Sequence, residues 1–580
     1  MEVPNLTDIT LETLDLGAQL AGEICRFRVW APKAKQVVLR LNGSDREMLA
    51  AAGGYFEQEI PAQAGDRYFY IIDSQKPVPD PVSRSLPEGV HGPTEIVDPE
   101  SFHWTDQKWR GIPYQQAIFY ELHVGTFTPE GTFAAAIAKL PYLKRLGITM
   151  IELMPVAAFP GASNWGYDGA SPFAVQNSYG GPNELKKLVD SAHAIGLGVT
   201  LDVVYNHLGN EGNYLGMFGR YFTDRYQTPW GSAVNYDGQD AAQVRRYFIE
   251  NALFWVREYH IDGLRLDAVH AIFDGSKPHI LQEFATRLHE LGKQLGREVA
   301  IVAESDANDA MLVRPSASGG FGYDGVWSDD FHHAMHAVLT REHDGYYQDY
   351  GKPEQIVKAL REGFVFQGEQ FRYWDKPRGT TCGDIPRFAH VFCLQNHDQV
   401  GNRPRGDRLN TLISRGAHKA ATALLLLAPE TPLLFMGQEY GEKHPFQFFT
   451  DFGDPVLQKA VMEGRRSEFK KFDWKEVPDP QDPQTFLRSK LSWELDEDVL
   501  EWYRMVLELR KKYVVGSERT CKAELRDGVM VMEIPRENPR LRVSVHFSGE
   551  VAADKEWKAE LVSKEDGAMV VVETQPAASL

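Results

Sequence analysis

Two hydrophobic rhythms divide the chain. Up to about Pro93, apolar and polar residues alternate in short runs: Cys25, Phe27 and Val29, then Val37 to Leu41, then Tyr68 to Ile72. Gly, Pro and Asp clusters interrupt them, which predicts a small antiparallel sandwich. Pro77, Pro79, Pro81 and Pro87 then mark a linker. From about Trp109 apolar strand-like runs alternate with helical stretches. The strand candidates are Ile118 to His123, Thr149 to Met154, Gly198 to Val204, Ile261 to Asp267, Val299 to Glu304, Tyr323 to Trp327, Phe388 to Gln395 and Pro432 to Met436. One intervening helix has Pro182 in its first turn, a face of Leu185, Leu188, Val189 and Ala192, and Gly196 as its stop. Another carries Val244, Phe248, Ala252, Trp255 and Tyr259 at helical spacing.

About eight strands alternating with helices predict an α/β fold, a (β/α)8 TIM barrel with long loops. An open doubly wound sheet would normally show a glycine-rich phosphate turn, and no GxGxxG or GxxxxGK follows an early strand. After about Asp482 comes the helical SWELDEDVLEWYRMVLELRKKY. Alternating runs such as Val529 to Ile534 and Leu541 to Phe547 then predict a C-terminal antiparallel β domain. The expected divisions are 1–95, 96–490 (the barrel) and 491–580.

Composition narrows the class. The 580 residues carry a formal net charge of -19 and no basic block, which excludes nucleic acid and anionic membrane as main partners. Cys25, Cys382, Cys393 and Cys521 have neither metal-ligand spacing nor a disulfide framework. The opening MEVPNLTDITLETLDLG is acidic and lacks the basic and apolar regions of a signal peptide. No apolar run reaches the length of a membrane span. A cytoplasmic protein is expected. Twelve Trp and 23 Tyr leave some aromatics free to stack on apolar sugar faces.

A barrel gathers functional residues at the C-terminal ends of its strands. The third candidate strand ends in DVVYNH with Asp202, Asn206 and His207, and the fourth in GLRLDAVH with Arg265 and Asp267. The fifth ends in VAIVAES with Glu304, and the seventh in FCLQNHDQ with Asn396, His397 and Asp398. Arg265 and Asp267, two apart in a strand, point the same way. Any one of these ends alone is readily explained as a satisfied polar cap or a structural ion pair. Four converging ends are not, because ionisable groups are costly to bury without purpose.

A metal site would show HExxH or HxH, which are absent, and the adjacent His332 and His333 diverge in direction. Neither metal nor organic cofactor is expected. Glycoside cleavage needs one carboxylate as nucleophile and a protonated one as general acid. Asp267 beside Arg265 suits the first role, and Glu304 after an apolar run suits the second. Asp398 then grips sugar hydroxyls.

These four segments resemble, in order, the four signature regions of the α-amylase superfamily of retaining α-glucan enzymes (glycoside hydrolase family 13). The resemblance implies Asp267 as nucleophile, Glu304 as proton donor and then base, and Asp398 as transition-state stabiliser. Arg265, His207 and His397 correspond to sugar-contacting residues, with Leu266, Ala268, Val269 and His270 as further candidates in the same segment. Leu264 replaces the Phe of many members, a change expected to be neutral. The opening RFRVWAPKAKQVVL resembles the N-terminal sandwich of branching and debranching members. NWGYDGASPFAVQNSYGGP, AESDAND, WSDDFHHAMHA, QNHDQVGNR and MGQEYGEKHPFQFFTDF resemble the members that hydrolyse the α-1,4 bond beside a terminal trehalose.

That likeness implies a maltooligosaccharide ending in trehalose as substrate. It also implies functional pairing with the synthase that makes the trehalose end. A glucan branching enzyme is the alternative within the superfamily, and a non-catalytic glucan-binding protein on the same barrel is the alternative outside it. Loop residues Asp329, Asp330, Phe331, His332, His333, Gln399, Val400, Gly401 and Asn402 are expected to touch substrate or anchor the mouth. Trp165 and Tyr167 are expected to stack on sugar or plug a loop. Phe446, Phe448 and Phe449 form either a carbohydrate wall or a buried hinge.

Overall fold

Eight strands, each buried along its whole length, close into a parallel barrel in the computed structural model, which describes residues 14–468, 477–515, 520–535, 539–552 and 554–575. They are β1 (Phe119–Leu122), β2 (Met150–Leu153), β3 (Gly198–Val203), β4 (Gly263–Leu266), β5 (Ala300–Ala303), β6 (Gly325–Trp327), β7 (His390–Cys393) and β8 (Thr431–Phe435). Strands covered on both faces read as continuous apolar runs, which is why the pattern was plain in the sequence. Each pairs with its successor, and β8 returns to β1 through Leu433 beside Phe119. Residues 1–13, which hold most of the opening acidic stretch, lie outside the described residues.

Helices wrap the barrel. α1 (Gly181–Ala194) buries Leu185, Leu188, Val189 and Ala192, and Gly196 beyond it takes φ 77°. α2 (Ala241–Glu258) buries Val244, Phe248, Ala252 and Trp255. Several polar residues of neighbouring strands lie side by side. Glu121 of β1 sits beside Glu152 of β2, Glu152 beside Thr200 of β3, and Asp202 of β3 beside Arg265 of β4.

The N-terminal region forms two four-stranded antiparallel sheets. Phe27 of one meets Tyr68 of the other edge-on at 4.9 Å. The proline-rich stretch expected as a linker is instead buried from Val78 to Leu86. Arg84 pairs with Glu258 of α2 at 2.8 Å and donates to Ala18 O, while Tyr247 donates to Pro81 O at 2.8 Å. These contacts seat the sandwich on α2.

At the other end, α3 (Arg415–Leu427) and α4 (Glu497–Tyr513) pack together. Lys419 joins α3 to Glu565 of the five-stranded C-terminal antiparallel sheet at 2.9 Å.

Candidate active site

The mouth is built around the Arg265 side chain, which has no solvent exposure. Its Nη1 donates to Asp202 Oδ2 at 2.7 Å and to Asp267 Oδ1 at 2.9 Å, and Nη2 lies 3.8 Å from Glu304 Oε2. The guanidinium also sits 4.3 Å from the centre of the Trp327 ring at the end of β6. Three carboxylates and an aromatic face offset the cost of burying this charge. Asp267 receives a further hydrogen bond on Oδ2 from Asn206 Nδ2 at 2.9 Å, so both its oxygens are oriented. The chain then turns through Ala268 at φ 41°, a left-handed conformation rare for alanine. That turn brings the Ala268 N–H to 2.6 Å from Glu304 Oε2.

Electrostatics separates the carboxyl groups. Burial pushes the Glu304 carboxyl well above its ordinary range against the pull of Arg265, and Asp267, Asp398 and Asp329 push it the same way. Burial likewise raises Asp202 to about 6 and Asp329 to about 7. Asp398 lies more open, its side chain 39% exposed, and accepts from Asn402 Nδ2 at 3.0 Å. A carboxyl that burial biases toward its protonated form, next to a second carboxyl gripped by an arginine, is a pairing suited to acid-assisted displacement.

Several expected residues join this centre. His397 bonds through Nδ1 to Glu121 at 2.5 Å and through Nε2 to Tyr167 Oη at 2.8 Å, and Tyr167 donates to Asp202 at 2.6 Å. His207 sits beside Asn206 and bonds through Nε2 to Tyr167 O at 3.1 Å. Trp230, 41% exposed, stacks on the His207 ring at 4.6 Å.

Others are turned inward by packing, which favours the anchoring alternative over substrate contact. Asp330 is fully buried. It accepts from the backbone N–H groups of Val365 and Phe366 and pairs with Arg378 at 3.0 Å, so it anchors a loop. Phe331 stacks on Phe392 at 4.5 Å. His332 bonds to Leu394 O and Tyr347 Oη, and burial holds both His332 and His333 well below the usual histidine range. Leu266, Val269 and Val400 are core residues, as are Phe446 and Phe449, so the aromatic cluster is buried and forms no open carbohydrate wall.

Trp165 is a plug, stacked on Phe446 at 5.2 Å and donating to Gln447 O at 2.9 Å. Gly401 makes room for it, since a Cβ there would stand 2.0 Å from the indole. Tyr167 likewise spends its hydroxyl on Asp202 and His397. Gln399 has its backbone N–H capped by Asn396 Oδ1, and His270 lies exposed, 3.6 Å from Asp306. Among the described residues no three His, Cys, Asp or Glu side chains are grouped to hold a metal ion.

Sequence reasoning passed over Glu121, Trp327 and Trp230. A glutamate inside the otherwise apolar run around Phe119 was the available signal for the first. The two tryptophans had none, because their roles depend on which strand ends and loops meet.

Barrel and mouth together define the α-amylase class. The model of the alpha amylase catalytic domain matches residues 96–228. The malto-oligosyltrehalose trehalohydrolase of Saccharolobus solfataricus is 46% identical over 513 residues, covering 88% of this chain and 89% of that protein. The crystal structure of a Salmonella typhimurium protein assigned to the alpha amylases superposes with a TM-score of 0.90 at 40% identity, covering 97% of this chain and 99% of that one. The 1,4-alpha-glucan branching enzyme of Pseudoalteromonas atlantica is 29% identical over 404 residues, covering 61% of this chain and 55% of that enzyme. This chain belongs to the malto-oligosyltrehalose trehalohydrolase family.

Proposed function

We propose that this protein is a retaining glycoside hydrolase that cleaves the α-1,4 bond beside the terminal trehalose of malto-oligosyltrehalose, releasing trehalose and a maltooligosaccharide. The observation that carries the chemistry is one guanidinium, Arg265, facing both Asp267 and Glu304 at adjacent strand ends. The Asp267 carboxylate attacks the anomeric carbon of the last glucosyl unit before trehalose. Glu304 gives its proton to the departing glycosidic oxygen, so trehalose leaves as the neutral alcohol. Water then attacks the glycosyl ester, Glu304 takes the water's proton, and Asp267 is freed. Asp398, His397, His207 and Arg265 hold the sugar ring as it flattens. Family membership supports the trehalose preference, since the branching relative is more distant and covers less of the chain.

The substrate's terminal trehalose has to be made by another enzyme, and a synthase acting on the reducing end of a maltooligosaccharide is the proposed functional partner. A reducing compartment, the cytoplasm, suits four free cysteines. No helix among the described residues is long and apolar enough to cross a membrane.

The deciding experiment is product analysis after incubation with maltopentaose and, separately, with the same oligosaccharide ending in trehalose. Trehalose from the second, with little cleavage of the first, is the expected result. New α-1,6 branches on longer glucans would instead make it a branching enzyme, and no turnover of any α-glucan would leave only binding.

A further inference from the structure

Glu121 on β1 and His397 beyond β7 are each 1% exposed and 276 residues apart in sequence, yet they make a two-point contact. Glu121 Oε2 accepts from the His397 backbone N–H at 2.9 Å, and Oε1 lies 2.5 Å from Nδ1. A carboxylate oxygen only accepts, so Nδ1 carries a hydrogen. On the far side of the ring, Nε2 lies 2.8 Å from Tyr167 Oη. The tyrosine has one proton, and it is directed at Asp202 Oδ2, 2.6 Å away. Its oxygen is therefore the acceptor toward Nε2, and both ring nitrogens donate. Asp398 Oδ2, 3.5 Å from Nε2, faces the same edge of the ring.

We propose that Glu121 is a positioning residue that holds His397 as a doubly protonated donor, aimed past Tyr167 and Asp398 at the sugar bound in the mouth. The proposal rests on the glycosidase reading and adds to it a residue that meets no substrate. Burial disfavours the charged ring, but Asp398 and Glu121 outweigh burial and lift His397 to about 9. The other charged or titratable groups around it are Arg265, which opposes its charge, Asp202 and Glu152 from the neighbouring strands, and His123 after β1. None of these replaces Glu121, because it alone bonds both the backbone and the ring of His397. A charged donor makes a stronger hydrogen bond to a sugar hydroxyl than a neutral one, and such bonds tighten as the ring flattens, while Glu121 and Asp398 balance the imidazolium against the positive charge that develops on the sugar.

The test is an NMR titration of protein labelled in its histidine rings, with the His397 signal identified by its loss in His397→Gln. The wild-type ring is expected to be imidazolium at neutral pH. In Glu121→Gln its midpoint should fall by about one pH unit or more, as removal of an adjacent opposite charge predicts. For maltotriosyltrehalose, kcat should fall about tenfold with little change in KM. Glu121→Asp keeps the charge on a shorter arm and should restore the imidazolium and part of kcat, which a merely structural role for Glu121 would not produce. A wild-type ring that is neutral at pH 7, or a midpoint unmoved in Glu121→Gln, overturns the proposal. Should Glu121→Gln not fold, the wild-type and Glu121→Asp titrations still decide. If the wild type releases no trehalose the functional reading fails, and the titrations judge Glu121 separately.

Discussion

Arg265 donates to Asp267 at 2.9 Å through the same nitrogen that binds Asp202 at 2.7 Å, so the orientation of one carboxylate is tied to the other through a planar fork. Lysine carries the charge but not the fork. Arg265→Lys should lower kcat by about 100-fold or more, because an ammonium on a flexible stem does not hold Asp267 and Asp202 in one fixed plane. Asp267→Asn should abolish hydrolysis to about 10⁴-fold below wild type or lower, as for other essential nucleophiles. Full trehalose release by Asp267→Asn would remove Asp267 from the reaction.

Burial raises the Glu304 carboxyl well above its ordinary range, so if Glu304 is the proton donor of the proposed mechanism, activity should decline as pH rises through that raised pKa. Glu304→Gln should lose turnover of malto-oligosyltrehalose. It should keep glycosyl-enzyme formation from a glycosyl fluoride, whose leaving group needs no proton. Equal loss on both substrates would assign Glu304 a different role.

Trp230 covers the His207 ring from the tip of the hairpin formed by Phe222–Thr228 and Gly231–Val234 while remaining 41% exposed. An exposed indole at the mouth is a platform for a sugar face. Trp230→Ala should reduce kcat/KM about fivefold to tenfold, the worth of one aromatic stack, and leave Tm unchanged. A fall in Tm without a kinetic effect would make it a packing residue.

Trp165 behaves oppositely. Buried between Phe446 and the loop at Gly401, it should cost about 3–5 kcal/mol of stability when truncated to alanine. Gly401→Ala should be destabilising through the same contact, since the added methyl meets the indole. Thermal unfolding of both variants checks this.

Glu152 is buried in the barrel, and neither carboxyl oxygen has a hydrogen-bond partner among the described residues. Burial first, and then the Glu121 charge, raise its pKa well above the ordinary range. The unfolded chain loses this proton near the usual glutamate pKa while the folded one keeps it. The wild type should therefore lose stability as pH rises from about 4.3 toward the raised value. Glu152→Gln removes that dependence, so its stability advantage should widen between acid and neutral pH. Parallel Tm curves for the two proteins would contradict a neutral Glu152.

The barrel was legible from local pattern. Buried parallel strands leave continuous apolar runs, and the helix of Val244, Phe248, Ala252 and Trp255 shows its buried face at a period that any short window detects. The charged residues at the ends of β3, β4, β5 and β7 were legible for the same reason, since a charge closing an apolar run stands out. Loop placements were less so. Asp330, Phe331 and His332 sit in one acidic and aromatic segment whose sequence does not say which residues turn outward, and packing against Phe392, Leu394 and Arg378 turned these inward.

By itself, then, the sequence determined the repeating strands and helices and the carboxylates at their ends, because periods of two and 3.6 residues are local properties. Only the tertiary structure decided that Glu121 reaches His397, that Tyr167 bridges His397 to Asp202, and that Trp230 lies on His207. These partners are far apart in the chain. Their meeting is set by the order in which the barrel closes and by where its loops return, and neither leaves a mark in the spacing of residues.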